Sequence, residues 1–187
     1  MPGRQAKAIS ASMLRRMLAY TRHSANPVRD RVIILLSLRA GLRACEIAQL
    51  DWSMVLDARS RVADSIAVHD AIAKKRSGRR IPMHDDLRKA LTALQQQTDA
   101  VGPVINSARG GAMRPNSIVS LFHALELAGC SSHSGRRTFI TAAARNADRA
   151  GCSLRDVQLL AGHRSIETTQ RYIDGDSHGQ RKLVAML

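Results

Sequence analysis

Residues 159–173 read LLAGHRSIETTQRYI, a segment that predicts the end of one helix, a tight turn and the start of another. Gly162 follows a pair of leucines, where a left-handed C-terminal cap is expected, and Ser165 is a good N-cap for the next helix. His163 then lies in the turn and Tyr172 near the end of the second helix, in polar surroundings. A phenol is a poor nucleophile near neutral pH because its ordinary pKa is about 10, and cationic neighbours lower that pKa. The segment therefore predicts a reactive tyrosine if the rest of the chain supplies cations.

Cations are abundant: the chain has 29 basic and 15 acidic residues, a formal net charge of +14. This balance favours a polyanionic partner, with nucleic acid the leading candidate. An anionic membrane surface is a weaker candidate because no basic amphipathic segment carries an aromatic face. Aromatic residues make up only 3% of the 187 residues, so the core must be aliphatic, which favours packed helices over a β-sandwich. The length fits one domain, or one domain with a small appendage.

The sequence indicates no disulfide framework, metal site or membrane anchor. Cys45, Cys130 and Cys152 are odd in number and share no C-x-x-C spacing, which is typical of small buried thiols in a reducing cytosol. The apolar run 32–38 is too short to span a bilayer, and the N-terminal residues lack the apolar region of a signal peptide. We therefore expect a cytoplasmic protein without a membrane partner.

Helical periodicity dominates the first fifty residues. Ser10 can cap a helix to about Tyr20, the turn at Asn26-Pro27 precedes a second and largely apolar helix, and Gly41 ends that helix. Further helices are predicted at residues 42–50, 85–97, 115–127, 131–149 and 153–160. Three stretches are typical of strands, at residues 52–56, 61–68 and 79–83. The pattern predicts a mainly α fold with a small antiparallel β-sheet, which places the chain in the α+β class.

The loop 74–80, KKRSGRR, forms the predicted tip of that sheet. A loop this dense in cations is either a solvated hairpin, as in many proteins, or a segment that follows a DNA backbone. Lys75, Arg76 and Arg79 are its candidate DNA contacts, and a lysine in it could also serve as a proton donor.

Arg43 and Glu46 share one face of the short helix 42–50. Their spacing fits a weak surface ion pair. It fits equally an arginine held rigid by a carboxylate, so that its planar guanidinium can meet a phosphate. The pattern alone leaves both interpretations open.

Arg136 follows His133 at the start of a predicted helix, for which Ser132 or Ser134 is the expected N-cap. Arg136 then falls in the first turn, where a cation is electrostatically misplaced. The same position suits a bound phosphate, since exposed N–H groups, a favourable dipole and an arginine converge there. His133 alone would favour a structural role, whereas the pair favours an anion site.

The chain closely resembles the catalytic domain of tyrosine site-specific recombinases, the phage integrase family, from about residue 10 to its C-terminus. Each shared motif alone is common by chance, but all of them in the family's order and with similar intervals are specific. The motifs are Gly-Leu-Arg43-x-x-Glu46, Lys74 at a strand tip, His133-x-x-Arg136, Leu-x-Gly-His163 and Tyr172. The resemblance implies the DNA breaking-rejoining fold of that family.

The resemblance also implies a reaction. Tyr172 would attack a scissile phosphodiester, form a 3′-phosphotyrosyl link and release a 5′-hydroxyl. Arg43 and Arg136 would clamp the two non-bridging oxygens, whose charge grows in the transition state. Lys74 would protonate the departing oxygen; its distance from the following strand matches the family better than that of Lys75, although a hairpin loop can shift by one residue.

The remaining candidates support this step. His133 would assist proton transfer at the tyrosine, His163 would hydrogen-bond the phosphoryl oxygens, and Glu46 would orient these groups. Arg137 and Arg164 are further candidate DNA contacts. The scheme requires no cofactor, neither ATP nor a metal, and a two-metal nuclease is disfavoured because the sequence is poor in acidic pairs.

By the same resemblance the chain divides into a basic flexible arm (1–9), a catalytic domain (10–175) and a tail helix (176–187) that docks on its own core or on a neighbouring subunit. Relatives usually carry an N-terminal core-binding domain that this sequence lacks, which fits a naturally minimal recombinase or a fragment. The segment between Arg136 and His163 is longer than usual, with an extra turn expected at 146–151.

The implied partner is double-stranded DNA, on which relatives self-associate as dimers or tetramers, in some cases with accessory DNA-bending proteins. A mobile-element integrase of the bacterial cytoplasm or nucleoid would fit. Two other functions stay open: a type IB topoisomerase-like DNA relaxer, and a non-catalytic DNA-binding regulator derived from a recombinase. The target sequence and the direction of recombination are not encoded in these motifs.

Overall fold

The computed structural model describes residues 8–74, 76–125, 132–172 and 184–185. It confirms the predicted class, a mainly α-helical fold with a two-stranded antiparallel sheet, in which Ser65 pairs with Pro82 and Val68 with Arg79. In chain order the elements are α1 (Ala11–Thr21), α2 (Pro27–Arg39), α3 (Ala44–Ala48), β1 (Ser65–Val68), β2 (Arg79–Pro82), α4 (Asp85–Gln95), α5 (Pro115–Ala124), α6 (Ser132–Asn146), α7 (Leu154–Ala161) and α8 (Ile166–Gln170).

Helix α2 is the centre of the larger core. Pro27 occupies its first turn, where the missing N–H costs nothing, and the five consecutive residues 32–36 are fully buried. The helix packs against α1, α4 and α6. An aliphatic side chain buried in this way stabilises the fold by about 1.5–3 kcal/mol, so α2 fixes the elements around it.

Two glycines let α6 approach α2 closely. A Cβ on Gly135 would lie 2.2 Å from the hydroxyl of Ser37 in α2, and one on Gly41 would lie 2.4 Å from the ring of Phe139 in α6. Gly41 also has φ +64°, a left-handed conformation that favours glycine and ends α2 as predicted. These contacts place the first turns of α6 beside the start of α3.

A second, smaller core lies between α6 and α7. Its buried members are Ile140 and Val157 with Ala147 and Ala161, and Tyr172 packs partly against it. Helix α7 begins with a capping box between Ser153 and Asp156 and ends at Gly162, whose φ of +63° confirms the predicted left-handed cap.

Several local predictions need correction. Residues 52–56 contain a 3₁₀ turn, Trp52–Met54, rather than a strand, because the Asp51 carboxylate accepts from Ser53 N and Trp52 is buried. Helix α4, predicted at residues 85–97, ends at Gln95 and is capped by His84, whose Nδ1 accepts from Asp86 N at 3.1 Å. Residues 146–151, where an extra turn is expected, contain a 3₁₀ turn, Asp148–Ala150.

The termini and the thiols differ in part from expectation. Ile9, assigned to the flexible arm, is buried, and its N–H donates to Thr138 Oγ1 at 2.7 Å, so it belongs to the domain. Cys45 is half-buried and Cys152 is exposed, since it follows the surface turn that Gly151 ends. Cys130, most of the arm and most of the tail helix lie outside the described residues. In the described ranges, no helix combines the length and the apolar character needed to cross a bilayer.

Candidate active site

An open hollow of about 390 Å³ lies where the two cores meet. Five of the sequence-predicted catalytic residues line it, although they come from four separate parts of the chain. The lining consists of Arg43, His133, Arg136, Arg137, His163, Thr168, Arg171 and Tyr172. The described lining contains cations, imidazoles and one phenol but no carboxylate, so it suits an anion.

Arg43 is held by a buried carboxylate. It is the N-cap residue of α3, and Glu46 one turn later accepts from its backbone N–H at 2.9 Å and from its guanidinium at 2.8 Å. Glu46 is fully buried, whereas the Arg43 side chain is 19% exposed towards solvent. Of the two interpretations of this pair, the structure favours the rigid arginine over the surface ion pair.

Glu46 has a second cationic partner in Arg79, whose guanidinium donates to both carboxylate oxygens at 3.1 Å. Burial alone would raise the pKa of Glu46, but the hydrogen bonds and charges of Arg79 and Arg43 outweigh burial and hold that pKa below its ordinary value. Glu46 is therefore a fixed anion that orients two guanidiniums.

The position of Arg79 differs from the one predicted. The sequence placed it at an exposed tip as a DNA contact, yet its side chain is only 4% exposed, and its Nε donates to Leu160 O at 3.0 Å. It ties β2 to α3 and to the end of α7. The alternation of side chains along a strand could have predicted this burial, because Arg79 and the buried Ile81 share one face of β2.

Arg136 also lies differently from the prediction. Helix α6 begins at Ser132, so Arg136 is in the second turn rather than the first and does not mark the helix N-terminus. Its guanidinium donates to Gly41 O at 2.7 Å and to Ala161 O, the last residue of α7. Burial, and then the charges of Arg43 and Arg79, lower the pKa of Arg136 to about 10, while Glu46 and Tyr172 act in the opposite direction. Arg136 remains a cation at neutral pH and connects the two cores.

His163 and Tyr172 form a stacked pair, with ring centroids 5.6 Å apart and an interplanar angle of 24°. His163 Nδ1 is 3.0 Å from Thr169 Oγ1. Burial, followed by the charges of Arg136, Arg43 and Arg79, lowers the pKa of His163 to about 4, so the imidazole is neutral at physiological pH. The guanidinium of Arg137 lies 5.8 Å from the centroid of the Tyr172 ring.

The short helix α8 lies between these two residues in the chain. Ser165 is its N-cap residue as predicted, but the Ser165 hydroxyl donates to the Glu167 carboxylate rather than accepting from a backbone N–H. Tyr172 follows the helix by two residues, and Thr141 Oγ1 donates to Tyr172 O over 3.5 Å. The short helix and turn thus set the position of the phenol.

Lys74 lies beside this hollow rather than in it. It is exposed, and with Arg43 and His163 it lines a smaller adjoining hollow of about 270 Å³. Arg164 lines the same hollow, and Arg76 is exposed on the hairpin. Lys75 lies outside the described residues, so the choice between the two lysines stays a prediction, as do the DNA contacts of Arg76, Arg137 and Arg164. Within the described ranges, no group of three or more His, Cys, Asp or Glu side chains could hold a metal ion.

Known proteins show the same architecture. The sequence profile described as the phage integrase family matches residues 7–178. Among solved structures, the XerA recombinase is 21% identical with a TM-score of 0.73 and covers all of this chain, which spans 65% of that protein. The Tn1549 transposon integrase in complex with a circular intermediate DNA is 18% identical, with a TM-score of 0.74, and this chain covers 67% of it.

An integrase from mycobacterium phage Brujita shares a higher fraction of residues, 26%, with a TM-score of 0.63; the match covers 97% of this chain and 57% of that one. The chain therefore spans about two thirds or less of the length of these three proteins. No curated protein matches it.

Proposed function

The chain belongs to the phage integrase family, and from this premise we propose that it is a site-specific DNA recombinase that cuts and rejoins DNA through a covalent bond to Tyr172. The observation that supports this most strongly is that Arg43, His133, Arg136 and His163 line one hollow together with Tyr172. A phosphodiester has the charge and the size that such a hollow accepts.

In the proposed step, the Tyr172 phenol oxygen forms a bond to phosphorus while the bond from phosphorus to the 5′-oxygen breaks. The phenol proton leaves with the help of His133, and Lys74 gives a proton to the departing 5′-oxygen. One phosphate ester replaces another, so neither ATP nor a metal enters the balance. A 5′-hydroxyl from a partner strand can then attack the phosphotyrosine and restore the DNA backbone.

The two guanidiniums supply the electrostatic part of catalysis. Arg43 is oriented by Glu46, and Arg136 is oriented by the carbonyl oxygens of Gly41 and Ala161. Donors that are fixed before the substrate arrives need no reorganisation when charge develops on the phosphoryl oxygens. His163, held neutral by its surroundings, would add one uncharged hydrogen bond to the same oxygens.

Double-stranded DNA is the proposed partner, supported by the net charge of +14 and by the exposed cations of the hairpin. We propose that the protein self-associates on DNA as a dimer or tetramer, because recombination must hold two duplexes together, and that accessory DNA-bending proteins can assist.

Because phosphate contacts release condensed counterions, the DNA affinity of this chain should fall steeply with salt. Fluorescence anisotropy with a labelled duplex, at low and at moderate salt, measures that slope. An affinity that stays constant across the two salt concentrations would contradict binding through a basic face.

A nicked suicide substrate tests the proposed activity. On this DNA the 5′-hydroxyl fragment diffuses away after cleavage, so a covalent protein–DNA adduct should accumulate and survive denaturation. The adduct should disappear in Tyr172→Phe and persist in Tyr20→Phe, which changes the only other tyrosine of the sequence. Absence of an adduct with the unaltered protein would favour the non-catalytic regulator. Relaxation of supercoiled DNA by a monomer, without joining of two sites, would favour the topoisomerase-like enzyme.

A further inference from the structure

The buried side chain of Thr169 contacts His163, which lies in the turn before α8. Thr169 lies in α8 and is fully buried, whereas its helix neighbours Thr168 and Gln170 are exposed. Its Oγ1 is 3.0 Å from His163 Nδ1. Buried polar groups are expected to have a hydrogen-bond partner, and this imidazole nitrogen supplies one.

The backbone of His163 is fixed independently of its ring. His163 N donates to Gln158 O at 3.1 Å, and Gln158 Nε2 donates back to His163 O at 2.9 Å. Gln158 is itself buried, with 3% exposure. The backbone bonds leave rotation of the imidazole about its side-chain torsions undetermined. Stacking on Tyr172 restricts the plane of the ring, and the contact with Thr169 restricts its Nδ1 edge.

The direction of that hydrogen bond decides what His163 offers to the hollow. A neutral imidazole carries one N–H and one lone pair, and the partner of one nitrogen selects the state of the other. If the hydroxyl donates to Nδ1, the proton is on Nε2, which can donate to an anion. If Nδ1 donates to the hydroxyl, Nε2 presents a lone pair, which an anion avoids.

We propose that Thr169 is a positioning residue: its hydroxyl donates to His163 Nδ1, fixes the proton on Nε2, and so turns the imidazole into a neutral donor for a phosphoryl oxygen. The phosphoryl part of this inference rests on the proposed function, whereas the position of the proton does not. Threonine suits the role because its branched Cβ restricts the first side-chain torsion. Valine has the same shape without the hydroxyl, and serine keeps the hydroxyl.

NMR of the full chain labelled with ¹⁵N-histidine tests the position of the proton directly. Long-range ¹H–¹⁵N correlations distinguish the two neutral tautomers, and loss of one signal in His163→Gln identifies the residue among the seven histidines. The Nε2–H tautomer is expected in the unaltered protein and in Thr169→Ser, with a mixture of tautomers in Thr169→Val. An Nδ1–H tautomer in the unaltered protein would overturn the proposal, even if Thr169→Val failed to fold.

Single-turnover cleavage of the suicide substrate tests the consequence. At saturating DNA, Thr169→Val should form the adduct about tenfold more slowly, the effect of one lost hydrogen bond, while its DNA affinity stays unchanged. Thr169→Ser should recover most of the rate. The control is Thr92→Val, an exposed threonine in α4 whose hydroxyl donates to Arg88 O.

Equal slowing in the serine and valine variants would show that packing, not the hydroxyl, matters, and would overturn the proposal. If the unaltered protein forms no adduct, the proposed function fails, and the NMR result still decides where the His163 proton lies.

Discussion

The two cores of this molecule differ in how firmly they hold their part of the site. The larger core, which includes the fully buried Leu35, Leu42 and Trp52, supports Arg43, Glu46 and Arg79 in a buried ion-pair network. The smaller core around Ile140 and two alanines supports Tyr172, which is partly exposed and bonded through its carbonyl over 3.5 Å. The proposed anion site is therefore rigid before any substrate binds, whereas the proposed nucleophile is held by weaker contacts and is free to adjust.

Arg136 connects the two regions, so its loss should have the largest effect. In Arg136→Gln we expect strand cleavage to slow by about 10³-fold, because a proposed donor to the transition-state oxygens is lost. The fold should also lose about 1–3 kcal/mol, because the carbonyl oxygens of Gly41 and Ala161 lose their donor. Single-turnover cleavage and urea unfolding measure the two effects separately.

Arg43→Gln is the matched control for that experiment. Its cleavage rate should fall similarly, but its stability should change less, since Arg43 is partly exposed and Arg79 still holds Glu46. Equal losses of stability in the two variants would show that Arg136 does not join the cores.

The stability that the buried carboxylate of Glu46 gives to the larger core should depend on pH. Removing one partner of a buried ion pair typically costs about 3–5 kcal/mol, so Glu46→Gln should be strongly destabilised at pH 7. The folded-state pKa of Glu46 is lowered from its ordinary value of 4.5. The stabilisation is therefore complete above about pH 4.5 and is lost as the pH falls through the lower pKa of the folded state.

Urea unfolding of the unaltered protein and of Glu46→Gln, between neutral and acidic pH, tests the direction of this change in stability. The difference in stability between the unaltered protein and Glu46→Gln should shrink as the pH falls. A difference that stays constant or grows on acidification would mean that Glu46 is not the fixed anion of the site.

The two cores should also differ in hydrogen exchange, although this difference is smaller than the effects of the substitutions. Amides in α2 should exchange only through global unfolding, whereas those in α7 and α8 should exchange on the order of tenfold faster through local opening. Exchange followed by mass spectrometry of peptic fragments makes the measurement. Equal protection of α2 and α8 would remove the distinction between a preformed anion site and an adjustable nucleophile.

Local signals in the sequence predicted much of this arrangement. Ser10, Gly41 and Gly162 mark helix ends because caps depend on the conformation and hydrogen bonding of a few neighbouring residues. The order of the five motifs indicated which side chains belong together. The resemblance thus identified the five catalytic candidates that line the hollow, but not Thr168 or Arg171, which line it too.

Local signals of this kind do not predict contacts between residues that are far apart in the sequence. Arg79 and Glu46 are 33 positions apart, and Arg136 and Gly41 are 95 apart. No periodicity relates such positions, so Arg79 was assigned to an exposed tip and Arg136 to a helix N-terminus. The strand predicted at 52–56 is wrong for a different reason: burial of Trp52 and the local cap by Asp51 favour a 3₁₀ turn over the extended preference of the segment.

The proposed function requires that Tyr172 is the residue that joins the DNA. Tryptic digestion of the trapped adduct, with mass spectrometry of the nucleotide-bearing peptide, measures this directly, because cleavage after Arg171 places Tyr172 at the start of its own peptide. We predict that the nucleotide is attached through phosphate to Tyr172. Attachment to Tyr20, or to a serine or threonine, would contradict the account.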